Sequence, residues 1–349
     1  MDILLVIENA GGVSEEIAAL QAEIPRLMTI LATGDFDQDG VSTGPEDFAP
    51  VASVQLGVVT TDMGSGSYVV PTCRRSAFGD DGVLRSRSGP IGDGCERFPR
   101  FVFFEGGGPP SEEQMREMTC LAGVGTQGCG FEQPLEAALK AVSPHAPTPY
   151  TADGYVPPTF FGDTAGHAEG SNRLFVREDS LLVVMLYGVE DDCSVRDQEL
   201  FNLSAGPYRS TDIGLRCFAH RDEALYSVSR YVDGLIALRR HPSRLVFSVT
   251  GGVPVDLLPA AGAAIDWDRL ISDDPSLRDE RMVERVDPSM PTRMMASCNV
   301  PGRGPAYPPV RVLRVAQGLE ARGAGVSIGS SCQESLSHLI SEIVARLRP

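Results

Sequence analysis

The segment Asp35-Phe36-Asp37-Gln38-Asp39-Gly40-Val41-Ser42-Thr43-Gly44-Pro45-Glu46 carries the clearest chemical pattern in the chain. Carboxylates stand at its first, third and fifth positions, a glycine at the sixth, where the backbone must turn, and a glutamate at the end. Calcium takes about six to eight oxygen ligands in a flexible shell, and this spacing wraps such a shell around one ion. The expected ligands are the side chains of Asp35, Asp37, Asp39 and Glu46, the Val41 carbonyl, and Thr43 directly or through water. Ser42 replaces the usual aliphatic residue and Pro45 opposes a regular exiting helix. The pattern therefore reads as a lone loop that holds structural calcium, with a solvated acidic turn as the alternative.

The cysteines suggest a compartment. Cys73, Cys95, Cys120, Cys129, Cys193, Cys217, Cys298 and Cys332 include no CxxC pair, which sets aside zinc ribbons and thioredoxin-like sites. All lie in or beside Gly/Pro-rich or polar stretches, as loop staples do, and an oxidising compartment follows. Joining neighbours closes the shortest loops and gives Cys73–Cys95, Cys120–Cys129, Cys193–Cys217 and Cys298–Cys332 as the expected pairs. The expected location is extracytoplasmic: periplasm, outer-membrane surface or secreted. Met1-Asp2 runs straight into Ile3–Ile7 without a basic leader region. The native leader is expected to be absent from this chain, and a lipid anchor upstream is left open.

Other constellations are weaker. Gly325-Val326-Ser327-Ile328-Gly329 matches the GxSxG elbow, yet only His338 follows it and no aspartate does, so a hydrolase triad cannot be completed in the usual order. Asp163, His167 and Glu169 are a possible metal set within a Gly-rich turn. The five histidines (His145, His167, His220, His241 and His338) form no HExxH pair, and Asn202-Leu203-Ser204 is a glycosylation sequon. No Gly-rich phosphate loop follows the first apolar run.

The elements that must position these residues alternate between strand and helix, the mark of an α/β sheet wound by crossover helices. Strands are expected at Ile3–Ile7, Val54–Thr60, Phe101–Phe104, Leu181–Leu186 and Leu245–Val249. An edge strand is expected where Val310, Val312 and Val315 alternate with Arg311 and Arg314. Helices are expected from Ser14 (as N-cap) to Gly34 with a kink at Pro25, from Pro134 to Val142, over Arg221–Leu238, and through Leu336, Leu339, Ile343 and Leu347. Long insertions (34–50, 64–100, 144–178, 194–216 and 252–309) interrupt them. No linker divides the 349 residues, so 1–349 is read as one decorated domain. With 47 acidic against 30 basic residues the net charge is −17, which disfavours nucleic acid and bare anionic membrane as partners. No apolar tract is long enough to span a bilayer.

Ile7-Glu8-Asn9-Ala10-Gly11-Gly12 follows the first strand and precedes a helix. This arrangement resembles the von Willebrand factor A fold, whose first strand ends in Asp-x-Ser-x-Ser, the metal-ion-dependent adhesion site. Glu8 stands in place of the Asp, and Ala10 and Gly12 in place of the serines. Val189 or Gly188 falls where the third metal-site Asp would end the fourth strand. Val58–Gly64, Gly128–Ala137, Glu190–Ser194, Arg230–Leu235 and Gly304–Pro309 extend the likeness to uncharacterised secreted or lipoprotein-type A-domain proteins of myxobacteria. The resemblance implies a Rossmann-like, mostly parallel sheet flanked by helices. Magnesium needs hard oxygen ligands that Ala10 and Gly12 lack, so a degenerate, magnesium-free site is expected. The competing reading has Glu8 with Glu190 or Asp191 still holding a cation.

These observations lead to an expectation of a non-enzymatic interaction or adhesion-type protein. It would bind a protein partner, or assemble with itself, at the carboxyl end of the sheet, where Glu8–Gly12, Thr60–Asp62, Thr126–Glu132 and Glu190–Asp192 converge. The alternatives are a metal-dependent hydrolase assembled from loop carboxylates and His167, and an A-domain with residual cation-dependent binding.

Overall fold

The computed structural model describes residues 1–41, 44, 47–74, 77–88, 94–260, 263–333 and 343–344. Six strands form its central sheet: β1 (Asp2–Ile7), β2 (Ser53–Thr60), β3 (Phe101–Glu105), β4 (Leu182–Tyr187), β5 (Leu245–Gly251) and β6 (Gly325–Ser330). Their spatial order is β6-β5-β4-β1-β2-β3, a mostly parallel, Rossmann-like α/β arrangement. Only β3 runs antiparallel to its neighbour, with Val102 opposite Leu56. Leu4 in the centre faces Gly57 on one side and Val184 on the other.

Successive side chains of a strand leave opposite faces of the sheet, and both faces here are covered. Leu4 and Val6 join Val184, Leu186, Phe247 and Val249 under helices α3 (Pro134–Val142), α4 (Val228–Ile236) and α5 (Val310–Glu320). Ile3, Leu5 and Ile7 join Val183 and Met185 under α1 (Ser14–Thr33) and α2 (Glu112–Ala122). The unbroken apolar runs of β1 and β4 thus reflect burial on two sides. Helix α1 buries Ile17, Leu20, Ile24, Leu27 and Leu31 as its spacing predicts. It runs continuously through Pro25, and Ser14 lies inside its first turn, with Oγ 2.7 Å from Glu15, and does not cap it. Gly34 closes α1 at φ +76°, where a Cβ would also collide with the Phe48 carbonyl at 2.1 Å.

Several elements depart from the sequence reading. The expected edge strand over Val310, Val312 and Val315 is helix α5, since Val310, Leu313 and Ala316 also repeat at helical spacing. Six residues of Val/Arg alternation do not separate the two periods. The edge strand on that side of the sheet is β6, which contains the GxSxG sequence. Its Ser327 is buried and donates to Ser248 Oγ of β5 at 2.8 Å, a cross-strand contact with no exposed nucleophile. Residues Arg221–Leu238 divide into a short turn at Arg221–Ala224 and helix α4, because Leu225 leaves the helix to bridge Val195. Helix α2 was not anticipated, although Ser111 and Gln114 form a reciprocal cap at its start. Of the expected C-terminal helix, Ile343 and Val344 are helical; Leu336, Leu339 and Leu347 lie outside the described residues.

Disulfides join all eight cysteines. Cys193–Cys217 and Cys298–Cys332 pair as expected. The other two expectations are corrected: Cys73 pairs with Cys129, and Cys95 with Cys120. Cys120 sits on α2 among Met118 and Leu121 in the core beneath that helix, while Cys129 lies in the loop before α3. The backbone around Cys73 reaches this loop directly, with Gly130 N donating to Thr72 O at 3.2 Å. The shortest-loop rule fails because the fold places sequence neighbours in different cores. Four disulfides point to an oxidising, extracytoplasmic compartment. No described helix is long and apolar enough to cross a membrane.

Candidate functional site

At the carboxyl end of the sheet, β1 passes directly into Glu8, whose side chain is 4% exposed. Glu8 Oε2 accepts the backbone N–H of Val189 at 2.7 Å and of Glu190 at 3.3 Å, just beyond β4. Gly188 leaves room for this carboxyl, since a Cβ there would lie 2.6 Å from Glu8 Oε2. Ala10 is buried and Gly12 turns at φ +104°; neither offers a side-chain oxygen. Val189, in the third slot, contributes its N–H to Glu8 instead. Glu132 enters from the loop preceding α3, a loop tied to the sheet by Gln133 N donating to Thr61 O at 3.0 Å. Its carboxyl lies close enough to that of Glu190 for each to perturb the other.

These three carboxyls hold protons unusually well. Burial, reinforced by the charge of Glu190 and opposed by the Val189 N–H, pushes Glu8 up to about 8. Burial with the charges of Glu190 and Glu8 lifts Glu132 well above the carboxylate range. Glu190 keeps contact with solvent at the rim, yet the protein packed around it raises its carboxyl too.

Among the surrounding acids, Asp192, Glu136 and Glu284 differ in having an arginine partner, and Asp191, like Glu8, accepts backbone amides. Arg311 reaches Asp192 at 3.2 Å. The Arg311 and Val312 N–H groups at the start of α5 donate to Asp191 at 2.9–3.2 Å. Burial and the Glu284 charge nonetheless push Asp191 up to about 7. Arg230 grips Glu136 through two hydrogen bonds of 3.0 and 2.9 Å, and Arg221 grips Glu284 through 2.7 and 2.6 Å. Among the described residues, no basic side chain makes an ion pair with Glu8, Glu132 or Glu190.

Glu132 at the floor and Glu190 at the rim line a recess of about 200 Å³. Its walls are Phe131, Ile213, Phe218, Met294 and Tyr307, with Arg293 and Arg311 among its edges. The Cys193–Cys217 disulfide lines it, and a small core of Val70, Phe131, Leu200 and Phe201 backs the loop that carries Phe131. Tyr307 is positioned by its N–H, which donates to Val189 O at 2.7 Å. Glu8, Thr61, Glu132 and Glu190 also line a smaller adjoining space of about 20 Å³, together with Pro134, Leu186, Val249, Pro309 and Val312.

In the acidic loop, oxygens of Asp35, Asp37 and Asp39 lie within 4.8 Å of one another. Asp35 accepts Gly40 N at 3.0 Å and Asp39 accepts Val41 N at 2.8 Å. Gly40, at φ +89°, makes the turn that gathers them. Thr43 and Glu46 lie outside the described residues, as do Ser42 and Pro45. Asp47, not foreseen, accepts Phe36 N at 2.9 Å and closes the loop. The set Asp163, His167 and Glu169 is not gathered. His167 Nε2 lies 3.1 Å from Asp81, which also binds Lys140 at 2.6 Å, while Glu169 pairs with His145.

The segments converging on the recess were legible in the sequence, but the far wall was not. Tyr307, Met294, Arg293 and Glu284 come from the 252–309 insertion, and Arg311 from a helix expected as a strand. The run Gly304–Pro309 was the one available signal. Comparison of the chain with protein-family models, with curated proteins and with solved structures gave no match.

Proposed function

We propose that this chain is a non-enzymatic, extracytoplasmic interaction module of the von Willebrand A type, placed in the periplasm, at the outer-membrane surface or outside the cell. It binds a segment of another protein in the recess above Glu132 and Glu190. The observation that carries this reading is the recess itself: it opens at the carboxyl end of the sheet, has apolar walls, and is held in shape by a disulfide. The strand order with one antiparallel edge strand, together with Glu8 at the end of β1, supports the A-type assignment. The Asp35–Glu46 loop is proposed to hold calcium structurally, fixing the path from α1 to β2. The acidic surface favours a protein partner over nucleic acid.

Selection of a displayed random-peptide library on the intact chain tests the reading. Enriched clones should compete with one another and lose binding to Met294→Arg and Ile213→Arg, which obstruct the walls. Clones indifferent to both substitutions refute it. The hydrolase alternative draws on the neighbouring Glu132 and Glu190 carboxyls as an acid/base couple. Turnover of peptide or ester substrates that Glu190→Gln abolishes would favour that alternative.

A further inference from the structure

The floor of the recess has a composition that its walls do not explain. Glu8, Glu132 and Glu190 are gathered without a basic partner, although Asp192, Glu136 and Glu284 nearby each have an arginine. Thr61 faces the same small space; it is 2% exposed and its hydroxyl has no hydrogen-bond partner. An unpaired buried hydroxyl is unfavourable unless something else supplies the missing bond. We infer that this floor receives an arginine side chain of the protein partner, its guanidinium set edge-on among Glu8, Thr61, Glu132 and Glu190. The inference rests on the proposed protein-binding role and names the chemistry of what is bound.

Three considerations select a guanidinium. Among the described residues, Asp35, Asp37 and Asp39 alone bring three ligand oxygens within 4.8 Å, so the three glutamates are spread too widely for a bare metal ion. A guanidinium is broad and planar, carries five N–H donors, and is more weakly hydrated than an ammonium, so it suits dispersed acceptors in a desolvated site. The inner space of about 20 Å³ holds little more than one water, so it takes a single NH₂ end of the guanidinium, toward Thr61 and Glu8, while the rest of the group lies against Glu132 and Glu190. Glu132 and Glu190 border both spaces, so the methylene stem lies in the larger recess against Phe131, Ile213 and Met294.

Calorimetry on the full chain with a capped Gly-Gly-Arg-Gly-Gly peptide tests the inference. Saturable binding is expected, at least tenfold weaker for the neutral citrulline peptide and at least tenfold weaker for Glu190→Gln. Thr61→Val should weaken it by about threefold. Glu190 stands at the rim, so its substitution does not threaten the fold, and the citrulline comparison needs no variant. Absence of binding up to about 10 mM peptide, or equal affinity for citrulline, overturns the inference. So does manganese binding that competes with the peptide, and free arginine binding as tightly as the peptide overturns the protein as its source. Library clones that depend on the recess but carry no arginine would sink this inference and leave the protein-binding role standing. An absence of recess-dependent clones would remove both.

Discussion

Replacing Glu8 with Gln should remove the pH dependence of stability that this residue imposes. Glu8 is buried and neutral in the folded chain up to about pH 8, whereas an unfolded chain releases its proton near 4.5. Its folded form therefore contributes fully below pH 4.5, and that contribution is lost as the pH rises through 8. At about 1.4 kcal/mol per tenfold change in the protonation equilibrium, the whole displacement amounts to roughly 5 kcal/mol, and by pH 7 roughly 3 kcal/mol is already gone. The charged groups facing Glu8 are Glu190 beyond β4, Glu132 before α3 and Glu16 on α1, with Arg303 3.9 Å from Glu16; Tyr187 donates to the Glu16 carbonyl. None of them offers Glu8 a counter-charge in contact. Glutamine keeps the shape of the neutral acid and can accept the Val189 N–H, but it never ionises. Urea unfolding with disulfides intact, run from pH 5 to 9, should show wild type weakening relative to Glu8→Gln by about 1.4 kcal/mol per pH unit until about pH 8. If the two curves run parallel over that range, Glu8 is not a buried neutral acid and the account of the floor is wrong.

Four further outcomes are expected. Arg311→Met should destabilise the chain by about 3–5 kcal/mol, because it leaves buried Asp192 unpaired, and adding Asp192→Asn should recover part of the loss in the same unfolding assay. Non-reducing peptide mapping should recover Cys73–Cys129 and Cys95–Cys120, and the double variant Cys73→Ala/Cys129→Ala should lose about 2–4 kcal/mol. Calcium at about ten times its Kd should add about 1.4 kcal/mol by thermal unfolding, an increment that chelator or Asp37→Ala removes; unchanged melting would leave a solvated turn. Ser327→Ala should change stability by about 1 kcal/mol through its lost bond to Ser248 and abolish no activity, since this serine lies within a covered strand.

Local chemistry alone determined much of the architecture. Ile3–Ile7 and Leu182–Leu186 are apolar at every position because both faces of the sheet are covered, so they read as central strands wherever they pair. Pro134 at the start of α3 and Gly34 beyond α1 set element ends through their own backbone preferences. Glu8 at the end of β1 and Gly40 in the acidic loop were visible for the same reason: spacing along one segment fixes what that segment can present. Tertiary structure decided whatever depends on which segments meet. Val310–Val315 fits either a strand or a helix until the sheet provides a face to cover and Asp191 an acceptor for its first amides. The shortest-loop pairing of Cys73 with Cys95 gave way because α2 turns Cys120 into one core while the loop before α3 carries Cys129 into another. The proton-holding character of Glu8, Glu132 and Glu190 likewise belongs to none of them singly. It arises when two strand ends and the loop before α3 bring their carboxyls together and the surrounding chain buries Glu8 and Glu132 without supplying a cation.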